Sequence, residues 1–103
     1  MKVHGVGSAD IHSGKAQEAW AWAIKAADYA GKNCPGGEQT DVVQSVTGRG
    51  NRVIFVTKFD SIGDAEKYRE WLETDEGFQG LFDGVDELID WDTFDRSYYR
   101  VRN

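Results

Sequence analysis

Residues 47–73 read TGRGNRVIFVTKFDSIGDAEKYREWLE and hold the signals that decide the fold. Residues 53–59 are β-branched and aromatic on both faces, which predicts a strand that is buried from both sides. The glycine-rich stretch 47–51 before this strand predicts a hairpin turn. After the strand, Ser61 is suited to cap a helix, with Asp64 three residues on in a relation similar to a capping box. The segment therefore predicts a hairpin that leads into a strand and a helix.

The same order of elements occurs on both sides of this turn. Strand-like and helix-like runs cover residues 1–11 (strand), 14–30 (helix), 41–47 (strand), 52–59 (strand), 62–73 (helix), 75–89 (a further helix) and 93–101 (strand). This βαββαβ order predicts an α+β, ferredoxin-like domain spanning residues 1–103, with an antiparallel sheet and an extra helix before the last strand. Because this architecture hosts unrelated chemistries, it predicts a fold and not an activity.

Local signals predict the ends and faces of the helices. Ser13 is suited to cap the first helix, and Gly31 is suited to end it. Its predicted packing stripe consists of Ala16, Ala19, Trp20, Ala23, Ile24 and Ala27. Thr74 is the predicted cap of the third helix, which keeps helical apolar spacing despite three glycines that each cost up to about 1 kcal/mol relative to alanine.

Composition excludes several classes of partner. The net charge of −6 disfavours binding to phosphate backbones, so no nucleic-acid partner is expected. No apolar run approaches the length of a membrane span and no signal-peptide core is present, so the expectation is a cytoplasmic protein without a membrane partner. Cys34 stands alone in a loop-like stretch and no Cys/His spacing resembles a metal site, so neither a metal nor a cofactor is expected.

Three stretches together resemble the dimeric α/β-barrel superfamily. They are GKAQEA (14–19) leading a helix, the 47–59 hairpin with FDSIGDAEKY (59–68), and DEGFQGLF (75–82) before a last strand that ends in YRV (99–101). Within the superfamily, the chain is similar to NIPSNAP-like proteins and to antibiotic-biosynthesis-type monooxygenases. The resemblance implies a homodimer in which two four-stranded sheets pack face to face as a closed barrel. Such an interface would account for the aromatic content of 13%, which exceeds what one layer of helices needs.

The resemblance also bears on activity. Members that degrade haem pair an Asn on the first strand with a Trp and a His on the second helix. Here Trp71 lies in a comparable region, but the first strand offers His4, and no His follows position 12. The haem-degrading pattern is therefore broken in two of its three places.

His4, Trp71 and Tyr98 are the candidate ligand-binding residues, because each combines a flat apolar surface with a hydrogen-bonding tip. His4 could move protons near neutral pH, or be a packed strand histidine with one hydrogen bond. Arg96 and Arg100 share a strand face with Tyr98. Either arginine could bind a carboxylate in a pocket, although pairing with an acid at an interface is the favoured interpretation.

Three hypotheses for function remain open. The first is a NIPSNAP-like homodimer that binds a small hydrophobic or aromatic molecule between helices and sheet. The second is a cofactor-independent monooxygenase or related small-molecule enzyme that uses the same pocket. The third is a structural or interaction module with a solidly packed interior. A cavity of several hundred Å³ with convergent polar groups would favour the first two over the third.

Overall fold

The computed structural model describes residues 1–48 and 50–103. Arg49, in the predicted hairpin turn, lies outside the described residues. In chain order the elements are β1 (Val3–Ile11), α1 (Ala16–Asn33), β2 (Thr40–Val43), β3 (Arg52–Phe59), α2 (Ile62–Thr74), α3 (Glu76–Gln79), two 3-10 turns (Gly80–Phe82 and Val85–Glu87) and β4 (Ile89–Arg100).

The strands form one four-stranded sheet in the order β2-β3-β1-β4, and the three neighbouring pairs are antiparallel. The predicted α+β fold is therefore confirmed. β3 occupies the predicted residues, because its β-branched and aromatic side chains favour a strand. β2 ends at Val43 rather than at residue 47, since only four of its residues pair with β3.

The helices cover one face of the sheet. Burial alternates along β1, where Val3, Gly5, Ala9 and Ile11 are buried and the residues between them are only partly so. The same alternation places Val53, Thr57 and Phe59 of β3 in the interior. A core of Ala9, Ile11, Ala19, Ala23, Val53, Val85 and Ile89 lies between the layers. Because side chains alternate between faces, the opposite face carries His4, Val6, Ile54 and Val56 without a covering layer.

α1 differs from its prediction at both ends and in its buried face. It begins at Ala16, and its N-cap is Lys15, which makes no side-chain capping bond, so the Ser13 cap was wrong. The helix also continues past Gly31 to Asn33, so Gly31 does not end it. A side chain at Gly31 would meet the Gln39 amide, and glycine leaves that space free. Its buried residues are Ala19, Ala23, Ala26, Ala30 and Gly31. Ile24, in the predicted stripe, is 60% exposed.

The cap of α2 is as predicted, but that of α3 is not. The Ser61 hydroxyl accepts a hydrogen bond from the Asp64 amide at 3.1 Å. Thr74 is the last residue of α2, and its hydroxyl donates back to the Glu70 carbonyl at 2.9 Å. The capping role belongs to Asp75, whose carboxylate accepts from the Phe78 amide at 2.9 Å.

The predicted continuous helix over residues 75–89 is wrong. α3 has four residues and is followed by two 3-10 turns. Gly84, between those turns, has φ +77°, a left-handed conformation that interrupts a right-handed helix. Ile89 accordingly begins β4, four residues before the predicted start at Thr93.

Two glycine substitutions test whether the left-handed conformation of Gly84 interrupts the helix. Gly84→Ala should lower the free energy of unfolding by about 1–2 kcal/mol, because an L residue in the left-handed region is strained. Gly80→Ala is the matched control: neither position has an atom within 4 Å of an added Cβ, but Gly80 has φ −65°, which alanine adopts readily. Urea denaturation should give a lower midpoint for Gly84→Ala and an equal or higher one for Gly80→Ala. Equal midpoints for the two variants would contradict the backbone explanation.

Candidate functional site

A cavity of about 440 Å³ lies between the sheet and the helices. Gly5 and Gly7 of β1 form its floor, and Ala26, Ala27 and Ala30 of α1 lie across from them. Small side chains on both layers leave a gap at this point that larger residues close elsewhere in the core. The volume falls within the range of about 300–1,000 Å³ that is usual for small-molecule sites.

Gly5 and Gly7 are needed for different reasons. A Cβ at Gly5 would come within 3.1 Å of the Phe59 ring and 3.2 Å of the Tyr98 ring, so these rings take the space that a side chain would fill. A Cβ at Gly7 would lie at an ordinary 3.5 Å from Phe94, so any larger group there would extend into open volume. The cavity therefore depends on the missing side chain at Gly7.

Aromatic rings form a continuous belt around the cavity. Centroid distances of 5.2–6.4 Å join successive rings along the belt, within the range of favourable aromatic pairs. In order, the rings are Phe59, Tyr68, Trp71, Phe78, Phe82, Trp91 and Phe94. All of these except Trp71 line the cavity, together with Trp22, Phe55 and Tyr98. The walls are thus mostly flat apolar surface.

Two hydrogen bonds from α1 fix the segment that carries part of this belt. Trp22 Nε1 donates to the Leu81 carbonyl at 2.7 Å. Tyr29 Oη donates to Asp75 Oδ2 at 2.7 Å, and this acceptor raises the pKa of the tyrosine. The irregular segment after α2 is therefore held against α1 by side chains that are distant from it in sequence.

Three hydroxyl groups meet at the end of the cavity nearest β2. Thr40 Oγ1 lies 2.6 Å from Thr57 Oγ1 and 3.1 Å from Tyr68 Oη. All three residues line the cavity, and Thr57 is buried. Burial raises the pKa of Tyr68, which keeps its hydroxyl protonated at neutral pH. This hydroxyl cluster (Thr40, Thr57 and Tyr68) can accept and donate hydrogen bonds without carrying charge.

Charged side chains occur at the rim of the cavity. The lining includes two arginines, Arg69 of α2 and Arg96 of β4, and one acid, Glu73 of α2. The Arg96 guanidinium carbon lies 5.3 Å from the centre of the Phe94 ring, which places the cation over the aromatic face. The lining therefore combines an apolar body, a neutral hydroxyl cluster and a charged rim.

The three predicted ligand-binding residues occupy different positions. Tyr98 lines the cavity. Trp71 stands behind the lining, where its ring stacks on Tyr29 at 6.3 Å. His4 lies on the other face of the sheet, in register with Lys58 and Tyr99, because it precedes the helix-facing Gly5 by one residue. That any of them contacts a ligand remains a prediction.

Several lining residues were missed from sequence. Gly5 and Gly7 form no phosphate-binding motif, because a Gly-x-Gly inside a strand is too short for one. Their spacing of two was the available signal, since it removes successive side chains from one strand face. Trp22 lies outside the predicted packing stripe of α1, because alanines recur around the whole helix and do not single out one face.

Neither the lone thiol nor the acidic residues add a site. Cys34 is buried at the end of α1, its thiol is 3.5 Å from the Glu38 carbonyl, and burial followed by the Glu38 charge raises its pKa. In residues 1–48 and 50–103, no three His, Cys, Asp or Glu residues are grouped so as to hold a metal ion. Within the same residues, no helix has the length and apolarity to cross a membrane.

Comparisons with known proteins identify the fold. A NIPSNAP family protein from Agrobacterium tumefaciens superposes with a TM-score of 0.79 at 16% identity, covering 100% of this chain and 95% of that one. The fold is that of NIPSNAP family proteins. A NIPSNAP domain protein from Burkholderia xenovorans gives 0.77 at 16% identity, with coverage of 99% and 95%. A putative antibiotic biosynthesis monooxygenase from Nitrosomonas europaea gives 0.71 at 13% identity, with coverage of 97% and 89%.

The comparisons by sequence found no match. No family model matches this chain, and no curated protein matches it. The likeness to NIPSNAP and monooxygenase structures therefore concerns the fold, as the sequence resemblance predicted.

The raised pKa of Cys34 predicts a loss of stability at alkaline pH. The folded state holds the thiol proton more tightly than the unfolded state does, so the free energy of unfolding should fall as pH rises above the ordinary thiol value of 9.0. Cys34→Ala should show a smaller decline between pH 8 and pH 10 in urea titrations, while the difference in stability between the two proteins should stay constant between pH 6 and pH 8. Parallel declines in the two proteins would refute this assignment.

Proposed function

We propose that this protein binds a small hydrophobic or aromatic molecule in the cavity between its sheet and helices, and that it acts as a homodimer. The main support for ligand binding is the cavity of about 440 Å³, which has rings of the aromatic belt as its walls and Gly5 and Gly7 as its floor. A concave, mostly apolar surface with a few convergent polar groups is the usual form of a small-molecule site.

The lining suits a flat ligand. Stacked or edge-on contact with aromatic rings is worth about 0.5–1.5 kcal/mol per pair beyond the area buried. The glycine floor lets a planar molecule approach the backbone of β1 closely, while the hydroxyl cluster can orient a polar substituent. The open volume argues against the solidly packed module that was the third hypothesis.

A cofactor-independent monooxygenase is the second candidate. Its support is the likeness in fold to the putative antibiotic biosynthesis monooxygenase from Nitrosomonas europaea. An enzyme that ionises an aromatic substrate needs a general base within hydrogen-bonding reach. Among the described lining residues, Glu73 at the rim is the sole carboxylate and no histidine is present. Binding without turnover is therefore the favoured proposal.

Filling the cavity tests the binding proposal. Gly7→Leu should place a branched side chain in the open volume and lower the affinity for the neutral fluorescent dye phenylnaphthylamine at least tenfold. Gly7→Ala is the control, because its Cβ makes only ordinary contact with Phe94 at 3.5 Å. Fluorescence titration should show wild-type affinity for Gly7→Ala, and circular dichroism should show that both variants fold. Equal dye affinity in all three proteins would place the binding elsewhere.

The dimer proposal rests on the uncovered sheet face. Val6 and Val56 are register partners at its centre, and Val43 pairs with Ile54 beside them. Toward the edges, Val43 is 38% exposed and Tyr99 is 57% exposed. A sheet face with these side chains gains stability when an apolar surface covers it. A second copy supplies the same apolar rows across a two-fold axis.

The face is large enough for a stable interface. The four strands have 9, 4, 8 and 12 residues. At a rise of about 3.3 Å per residue and a strand spacing of about 4.8 Å they give a flat area of roughly 520 Å² per copy. Two such faces bury about 1,000 Å² before the added surface of the side chains is counted, which reaches the lower size limit of specific protein interfaces.

A charge at the centre of this face should separate the dimer. Val56→Glu would bring carboxylates into an apolar interface without partners, so the variant should sediment as an 11.6 kDa monomer at micromolar concentration where the parent is a dimer. Ile24→Glu, at an exposed position on α1, is the control and should remain dimeric. A monomeric parent, or a dimeric Val56→Glu, would rule out this interface.

A further inference from the structure

The charge of the cavity lining differs from that of the chain. The protein carries a net charge of −6, yet the lining contains two arginines and one acid. Glu73 lies one helical turn from Arg69 on α2, so that side of the rim carries both signs. The β4 side carries Arg96, with no lining acid on that strand. A local positive site in an acidic protein favours an anionic ligand group at this point.

Arg96 is placed to receive such a group. It lies on β4 directly opposite Gly7, the position that opens the cavity floor. Its guanidinium packs over the Phe94 ring at 5.3 Å, and the ion pairs among the described residues give it no acidic partner. Stacking on an aromatic face leaves the N–H edge of a guanidinium available, and this edge matches the two oxygens of a carboxylate.

The opposite end of the cavity disfavours an anion. Each hydroxyl of the cluster can accept as well as donate, so a ligand donor finds an acceptor here, whereas a carboxylate would rely on hydroxyl protons that the 2.6 Å and 3.1 Å contacts within the cluster partly engage. The negative charge of Glu38 also acts on Tyr68, where it adds to burial in raising the pKa. A neutral donor, such as a ligand hydroxyl, suits this end better than a second negative charge.

We propose that the ligand is a flat aromatic carboxylic acid. Its carboxylate binds Arg96, its rings lie over Gly7 and Gly5 inside the aromatic belt, and its far end points toward the hydroxyl cluster. This inference deepens the proposed binding function and rests on it.

Strand spacing sets the size of the ligand. Arg96 and Thr57 stand on strands two spacings, or about 9.6 Å, apart on either side of β1, and they are also offset by two residues, or about 6.6 Å, along it. Their backbones are therefore roughly 12 Å apart, and Thr40 is one further strand spacing away. A single ring with a carboxylate is too short to bridge this distance, whereas two fused rings with a carboxylate approach it. A bicyclic aryl acid is therefore the expected class.

The test compares an acid with its neutral analogue. Isothermal titration calorimetry at low salt would measure naphthoate and naphthamide, which share a shape and differ in charge. The wild-type protein should bind naphthoate at least fivefold more tightly. Arg96→Gln should remove that preference, so that the variant binds naphthoate and naphthamide with equal affinity. Arg100→Gln is the matched control, because Arg100 lies on the same strand but outside the lining, and it should keep the preference.

The outcomes separate this inference from the function on which it rests. If naphthamide binds as well as naphthoate, or if Arg96→Gln retains the preference, the carboxylate site is refuted while the hydrophobic cavity stands. If Arg100→Gln also loses the preference, the effect comes from overall charge and the Arg96 site is refuted. If neither probe binds the wild-type protein, the proposed binding function fails and this inference fails with it.

Discussion

The missing side chains at Gly5 and Gly7 are the constraint on which the interior of this protein depends. β1 is hydrogen-bonded on both edges, to β3 and to β4, so its backbone cannot shift to close the gap. Glycine weakens a strand, because it adds no packing and loses more entropy on folding. The rings of Phe59 and Tyr98 offset part of that cost by covering Gly5, which leaves the open volume over Gly7. The pairing of β1, the packing of the aromatic rings and the cavity therefore all depend on the same two glycines.

The irregular segment between α2 and β4 depends on the same packing. A four-residue helix and two 3-10 turns have little stability of their own. Tertiary anchors hold them: the Trp22 indole at the Leu81 carbonyl, the Tyr29 hydroxyl at Asp75, and the buried side chain of Val85. Because this segment supplies Phe78 and Phe82 to the lining, the same anchors hold part of the cavity wall in place.

Sequence patterns predicted the elements better than the site. β3 and the Ser61 cap could be predicted because each depends on residues within one short stretch. The break at Gly84 could not, since the same glycine is compatible with a weak helix until tertiary contacts choose the left-handed conformation. The face of the sheet on which His4 lies could not be predicted for a related reason. Alternation says that His4 and Gly5 face opposite ways, but it does not say which face the helices cover.

The two surfaces proposed to carry function are the two faces of one sheet. On β1, Gly5 and Gly7 face the cavity, and Val6 between them faces the proposed partner copy. A covering subunit would restrict the twisting of β1 and so stiffen the cavity floor without contacting the ligand. Whichever of the two binds first would then leave less conformational entropy for the other to remove. This would couple ligand binding and dimer formation positively. Such coupling is reciprocal, so the factor by which the ligand tightens the dimer must equal the factor by which the dimer tightens ligand binding.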